Sequence, residues 1–369
     1  MHIRQAVKDL RPYRPGRPLR DLEQLGIAEG VKLGSNENPL GPAPDVLRAI
    51  RDAASGVRLY PEPGAPALRD ALAARHRLPL ESVITGAGID DLLDLTVRSV
   101  LDPGDNLILA HPGFVRYAVA AAAAGGEVRS VPGPAGAPYR HDLDGMLAAI
   151  DSRTRIVVVV NPNNPTGSMI DRPDWEAFLG RVPESVLVIL DEAYFEFVED
   201  SDYPDGTRYL DGPRPLLVFR TFSKCHSLAG LRVGYGFGPP ELLEYLDRAR
   251  LPFNVSVVAQ AAALAALADT TGHIEKTRAL ARSEVAFLDE GLAARGWKTE
   301  PSLANFVFAE APVPGLELTE RLMRRGFILR PLISFGMSDR FFRVSHGTRE
   351  QNERFLAALD EVTADVSSR

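Results

Sequence analysis

The sequence predicts an α/β protein, with a large domain on a mainly parallel sheet and a smaller α+β domain towards the C-terminus. Short apolar, β-branched runs alternate with amphipathic stretches from about residue 45 to 248, and strands covered on both faces read as continuous runs of this kind. After Leu251-Pro252-Phe253 the pattern changes to long helical segments with brief strands between them. At 369 residues, 45% hydrophobic and 25% charged, the chain is ordinary globular material with length for two cores.

Taken in order, residues 1–30 form an N-terminal arm expected to pack on the small domain. The large domain, 31–250, carries strand runs at Val83-Ile84-Thr85, Leu107-Ile108-Leu109, 156–160, 186–190, 216–220 and Val233-Gly234-Tyr235, with a helical stretch at 90–100. The small domain, 251–369, has helices at 257–268 and from 271 to about 295. Strands follow at Phe306-Val307-Phe308 and Phe342-Arg343-Val344, and a helix from 349 to about 366 closes the chain. The Pro-rich stretch 132–138 is a surface loop, and no internal repeat is visible.

The net charge of −7 comes from 49 acidic and 42 basic residues mixed along the chain. No long basic block is available to track a phosphate backbone, so nucleic acid is not an expected partner. Met1-His2-Ile3-Arg4-Gln5 lacks the apolar core of a secretory signal, and runs of roughly 18 apolar residues are missing. A cytoplasmic protein with no membrane partner is expected. The single cysteine, Cys225, excludes an intrachain disulfide and a multi-cysteine metal site, and reads as a small buried hydrophobe. No metal is expected.

In open α/β sheets ligands bind beyond the carboxyl ends of the strands, so the polar residues following each strand matter first. Four such ends form a coherent set: Asn161-Pro-Asn-Asn164-Pro-Thr-Gly167, Asp191-Glu-Ala-Tyr194, Thr221-Phe-Ser223-Lys224 and Gly86-Ala-Gly88-Ile89-Asp90. A site for pyridoxal 5'-phosphate requires these groups. A lysine amine must react with the aldehyde carbon, and a carboxylate must keep the pyridine nitrogen protonated so that the ring withdraws electrons. Lys224 and Asp191 fit those roles, and Asn164 and Tyr194 suit the phenolic oxygen. The Gly88-Ile89-Asp90 turn, Thr221, Ser223 and Arg232 suit the phosphate, which wants backbone N–H groups at a helix start plus fixed charge. Each piece alone is also ordinary structure: Asn-Pro-Thr-Gly is a good β-turn anywhere, and a strand-end Asp-Glu or Ser-Lys is a common cap. The weight lies in their order and joint occurrence.

With these motifs the sequence resembles the fold type I pyridoxal-phosphate enzymes, whose large domain has a mainly parallel seven-stranded sheet. Within them it resembles the histidinol-phosphate aminotransferase family over essentially its full length. The match includes Asp9-Leu-Arg-Pro-Tyr13, Lys32-Leu-Gly-Ser-Asn36-Glu-Asn38-Pro-Leu-Gly-Pro42, Tyr60-Pro-Glu-Pro63, Pro112-Gly-Phe114, Pro252-Phe-Asn-Val255, Gly326-Phe-Ile-Leu-Arg330 and Phe342-Arg343-Val-Ser-His-Gly-Thr348.

The resemblance implies that Lys224 carries the cofactor, that Asp191 pairs with the pyridine nitrogen and that Asn164 and Tyr194 contact the ring oxygen. It makes Phe114 the aromatic that stacks on the ring and Arg232 the phosphate arginine. Tyr60 would reach the phosphate of the partner subunit, which implies a homodimer with shared sites. Arg343 would be the anionic clamp, with Arg330, Tyr13 and Asn38 completing the substrate side. The departures are Gly88-Ile89-Asp90-Asp91, where the family commonly has a hydroxyl at the second position, Pro112-Gly113-Phe114 for Pro-Thr-aromatic, and His226 and His346, read as packed structural histidines.

The implied reaction is aminotransfer of histidine biosynthesis, from L-histidinol phosphate to 2-oxoglutarate, giving imidazole-acetol phosphate and L-glutamate. Two rivals share the scaffold: an aminotransferase for aromatic or specialised amino acids, and a threonine-phosphate-type decarboxylase. A cofactor-binding regulator without turnover would need a fused DNA-binding module, for which there is no room before Tyr13.

Overall fold

The computed structural model describes residues 1–10 and 16–367, with Tyr13 outside that set. Thirteen strands follow in chain order: β1 (Val31–Lys32), β2 (Val83–Gly86), β3 (Asn106–His111), β4 (Glu127–Pro132), β5 (Thr154–Val160), β6 (Leu187–Asp191), β7 (Leu216–Thr221), β8 (Gly234–Phe237), β9 (Lys298–Glu300), β10 (Phe306–Glu310), β11 (Phe327–Ile328), β12 (Arg330–Pro331) and β13 (Phe341–Ser345). Seven of them make one sheet in the order β2-β8-β7-β6-β5-β3-β4. All its pairings are parallel except those of β8, which runs against both neighbours. The sheet is therefore the expected one.

The pleat sorts the side chains of β5, β6 and β7 onto two faces. Val157, Val159, Val188, Leu190, Leu216 and Val218 meet one helical layer, which includes Leu68, Trp175 and Phe178. Ile156, Val158, Leu187, Ile189, Leu217 and Phe219 meet the other, which includes Leu92, Tyr117 and Leu246. At the end of β6, Asp191 continues the second face and Glu192 the first. That alternation decides which strand-end residue enters the site.

The C-terminal body has its own core. An antiparallel sheet in the order β12-β13-β10-β9 packs with the helices His273–Ala293, Gly315–Arg324 and Arg349–Ser367 around Leu288, Val307, Leu322, Phe342 and Phe355. The parallel pair β1–β11 ties Val31 and Leu33 into that core, so the start of the expected large domain is built into the other body.

Two expected boundaries are corrected. Helix Val257–Ala268, assigned to the small domain, buries Ala259, Ala262, Ala263 and Ala266 against helices Pro44–Ala53 and Pro66–His76 of the large one. Its sequence is apolar but for Gln260, so it favours burial, and it packs with the large body. The first turn of the arm, Gln5–Lys8, lies against helix Val115–Ala124 in the large body, where Arg4 Nη2 donates to the Ala124 carbonyl at 3.0 Å. The later part reaches the C-terminal body, as where Arg354 Nη2 donates to the Glu29 carbonyl at 3.2 Å. Among the described residues no helix is long and apolar enough to cross a membrane.

Candidate active site

A cavity of about 440 Å³ opens at the carboxyl ends of β5, β6 and β7. The N-terminus of helix Ile89–Val100, the segment 34–37 and strands β12 and β13 close it. Of the expected residues, Ile89, Asp90, Phe114, Asn164, Asp191, Tyr194, Thr221, Ser223, Lys224, Arg232, Arg330 and Arg343 line it together. They come from stretches far apart in sequence.

Lys224 follows β7 by three residues, and its Nζ donates to the Ser35 carbonyl at 3.2 Å. Burial, with Arg343 and Arg232 adding positive charge nearby, brings its amine down to about 8. Such an amine is partly neutral near physiological pH and can act as nucleophile and as base.

Asp191 is the last residue of β6 and only 2% exposed. Its Oδ2 accepts from the Tyr117 hydroxyl at 2.9 Å and its Oδ1 from the Ala193 amide at 3.1 Å. Burial pushes its carboxyl up to about 7 against the pull of those two donors. A carboxylate has about four acceptor positions, so it keeps capacity for a cationic N–H. In this apolar layer a cationic donor is the partner that would favour its ionised form.

The start of helix Ile89–Val100 is an anion cradle. Gly88 stands at φ +84°, and a Cβ on it would come within 2.6 Å of Arg232 Nη2. A Cβ on Gly234 would lie 2.9 Å from the Gly88 carbonyl carbon and the Ile89 nitrogen, so β8 can approach the turn only as glycine. Around the turn stand Thr221 Oγ1, 2.9 Å from Ser223 Oγ, and Arg232, whose Nη1 lies 3.4 Å from Ser223 Oγ and Nη2 3.3 Å from Asp90 Oδ2. Helix amides, two hydroxyls and a guanidinium around space that a methyl group would fill fit a phosphate. The Ile89 departure leaves the backbone donors in place.

We expect Gly88→Ala to displace Arg232 from this cradle. Affinity for pyridoxal phosphate, followed by visible absorbance, should fall about ten- to a hundredfold, the worth of a hydrogen bond to a charged group. Far-ultraviolet circular dichroism should be unchanged. Undiminished affinity in the folded variant would remove the turn from the binding site.

Opposite Lys224, Arg343 Nη1 donates to Asn164 Oδ1 at 2.7 Å and Nη2 to the Gly34 carbonyl at 2.9 Å. With its oxygen taken, Asn164 has its amide N–H₂ left to offer a ligand. The turn that presents it is fixed by Asn163 Nδ2, which donates to the Pro112 carbonyl at 3.0 Å and to Thr166 Oγ1 at 2.9 Å. Tyr194 hydroxyl accepts from Asn36 Nδ2 at 2.8 Å, and Lys224 Nζ lies 5.9 Å from the centre of its ring. Arg330 Nη2 donates to Ser334 Oγ at 3.1 Å, and its guanidinium stands 5.9 Å from the Phe335 ring.

The remaining singled-out residues stand elsewhere or lie outside the described residues. Asn38 does not line the cavity: its Nδ2 donates to the Cys225 carbonyl at 3.1 Å and Thr277 Oγ1 at 3.0 Å, and its Oδ1 accepts from the Leu40 amide at 3.0 Å. With both ends of the amide engaged, it anchors the loop. Tyr60 is 82% exposed, stacks on Phe253 at 4.8 Å and does not line the cavity of its own chain. Tyr13 lies outside the described residues. His226 and His346 are buried beside Phe222 and Gly347 respectively and do not line the cavity.

Two residues were missed. Tyr117 holds Asp191, and its signal was its place three residues after Phe114 at a helix start, the spacing of neighbours on one face. Asn36, two residues before Asn38, is the one that meets Tyr194.

A buried strand-end carboxyl, a depressed lysine amine and a phosphate cradle in one cavity define a lysine-based enzyme with a phosphorylated ring cofactor. The family model of aminotransferase class I and II matches residues 28–359. The histidinol-phosphate aminotransferase of Moorella thermoacetica is 42% identical over 98% of this chain and 93% of its own, and histidinol-phosphate aminotransferase 2 of Pseudomonas aeruginosa is 44% identical over 97% of each. Among solved structures, the histidinol-phosphate aminotransferase of Sinorhizobium meliloti in complex with pyridoxal-5'-phosphate superposes with a TM-score of 0.88 at 30% identity, covering 99% of this chain and 98% of that one. A double mutant of Thermus thermophilus aspartate aminotransferase gives 0.84 at 27%, covering 98% and 100%. The chain belongs to the aminotransferase class I and II family.

Proposed function

We propose that this aminotransferase uses pyridoxal phosphate to move the amino group of L-histidinol phosphate to 2-oxoglutarate, as a cytoplasmic homodimer with shared sites. The observation that carries the substrate is the arginine pair. Arg330 and Arg343 are direct partners across β12 and β13, are buried, and line the cavity above Lys224. Two guanidiniums side by side on one wall of the cavity match a phosphate ester in one half-reaction and a dicarboxylate in the other.

Bound pyridoxal phosphate supplies an aldehyde that takes up the amino group and a ring that draws electrons from the substrate carbon. The cradle of Gly88, Ile89, Asp90, Thr221, Ser223 and Arg232 would hold its phosphate, Asp191 its ring nitrogen, Asn164 and Tyr194 its ring oxygen, and Phe114 its face. Lys224 Nζ, released from the Ser35 carbonyl, would take the proton from the substrate carbon and hold it at Nζ for return. An amine near 8 is suited to both directions. Arg343, braced by Asn164 and the Gly34 carbonyl, orients the substrate's anionic end. The two half-reactions make the kinetics ping-pong.

Arg330→Ala tests the substrate. Its planar fork matches a phosphate dianion, and its loss should lower kcat/KM for histidinol phosphate by about 2 to 4 kcal/mol of transition-state binding. An aromatic amino acid, which has no phosphate, should lose much less. Wild type preferring the aromatic donor, or equal losses for both, returns the enzyme to the broader aminotransferase class.

The shared site is supported by Tyr60, which does not line the cavity of its own chain, is 82% exposed and stacks on the exposed Phe253. An inactive Tyr60 variant and an inactive Lys224 variant, mixed and allowed to exchange subunits, should regain part of the activity, because one hybrid site is wholly native. No recovery after verified exchange means that each chain builds its own site.

A further inference from the structure

Behind the cavity, on the opposite face of the sheet, lies a buried charged network that the reaction itself does not use. Arg220 and Glu192 are both 0% exposed. Arg220 Nε donates to Glu192 Oε2 at 2.8 Å and its Nη2 to Asp205 Oδ1 at 2.7 Å. Its guanidinium carbon stacks 3.4 Å above the Phe195 ring. Glu192 Oε1 accepts from the Gly206 amide at 3.0 Å, and the Tyr203 hydroxyl, with one proton to share, lies 2.6 Å from the Asn161 carbonyl and 3.0 Å from Glu192 Oε1.

Three members directly follow or precede residues of the cavity, since Glu192 follows Asp191, Phe195 follows Tyr194 and Arg220 precedes Thr221, while Tyr203 reaches Asn161, which opens the turn that presents Asn164. Neighbours along a strand point to opposite faces, so a clamp on one set fixes the other. The network joins the carboxyl ends of β5, β6 and β7, and removing one partner of a buried pair leaves an uncompensated charge.

We propose that Arg220, Glu192 and Tyr203 are positioning residues for the aminotransferase site, setting the mutual placement of Asp191, Thr221 and Asn164 from behind the sheet. They touch neither substrate nor cofactor. The inference rests on the cofactor reading above. That reading is tested by Lys224→Ala, whereas the variants here retain every residue assigned to the cofactor.

Glu192→Gln keeps the shape and removes the charge, and Tyr203→Phe removes one hydroxyl. In the holoenzyme, well below its melting temperature, each should lower kcat about 10- to 100-fold, the consequence of misplacement by about an ångström. KM for the amino donor should stay within about a factor of two, because Arg330 and Arg343 are untouched. The pH midpoint of the visible absorbance should shift by about half a unit or more, because Asp191 moves relative to the ring nitrogen.

Glu284→Gln is the control, since Glu284 is a buried partner of Arg349 at 2.9 Å in the other body. It should lower the melting temperature without moving kcat or the midpoint. If Glu192→Gln and Tyr203→Phe behave like this control, the network is structural and the proposal falls. Should Glu192→Gln fail to fold, Tyr203→Phe alone decides by the same readings.

Discussion

Lys224→Ala should give a folded protein that has lost transamination by about 10⁴-fold or more, since both covalent capture and proton transfer depend on one amine. The fold should survive because Nζ makes a single hydrogen bond, to the Ser35 carbonyl, and removing a buried amine whose charge is disfavoured relieves the interior. Borohydride reduction should fix pyridoxal phosphate to the Lys224 peptide of the wild type and to no peptide of the variant. A small primary amine added to the variant should restore part of the turnover, because the shape of the cavity is kept and only the base is missing. Transamination within about a hundredfold of wild type would assign the chemistry to another residue.

Asp191→Asn should retain the fold and bind cofactor, yet reduce kcat about a hundredfold or more. The charge-assisted hydrogen bond it removes matters more in the transition state than in the ground state. A second reading comes from the protein stripped of cofactor. The folded carboxyl, raised to about 7 by burial, lies above its unfolded value of 3.8. The folded state therefore binds the extra proton, and stability falls as pH rises from about 4 to about 7, by about 4 kcal/mol at the top of that window. Asp191→Asn should abolish this fall, so at pH 8 the stripped variant should melt higher than the stripped wild type. A near-normal kcat would contradict the catalytic role, and an unchanged pH dependence of melting would contradict the burial argument.

The sheet was legible in sequence because its central strands are continuous apolar runs, a pattern few other structures produce. Strand β4 was not, because at the sheet edge Glu127, Ser130 and Pro132 face solvent and the run reads as loop. Helix Val257–Ala268 was found, but its partner was not: an alanine-rich cylinder says that it is buried without saying in which core. In the site, strand-end residues were found because their chemistry is local. Asn36 was not singled out because two asparagines in one loop differ only in the direction in which the backbone turns them, and Asn36 takes φ +54°. Arg220 went unnoticed since a charge at a strand end is ordinarily solvated, and only the fold reveals that this end is covered.

The segment 34–38 has a consequence for recombination between relatives. Asn36 is bound at once to Tyr194 of the large body and to Ser345 and Asn305 of the C-terminal body. Ser35 meets Lys224, Gly34 meets Arg343, and Asn38 reaches the Cys225 carbonyl and Thr277. Four residues of this five-residue segment thus act as a grommet through which both bodies are laced. A chimaera that takes its C-terminal body from one parent and this segment from another joins halves that no longer share a seam, however well each folds. Grafting a new substrate range onto the scaffold therefore means moving 31–38 and 298–345 together, as one inherited unit despite the 259 residues that separate them in sequence.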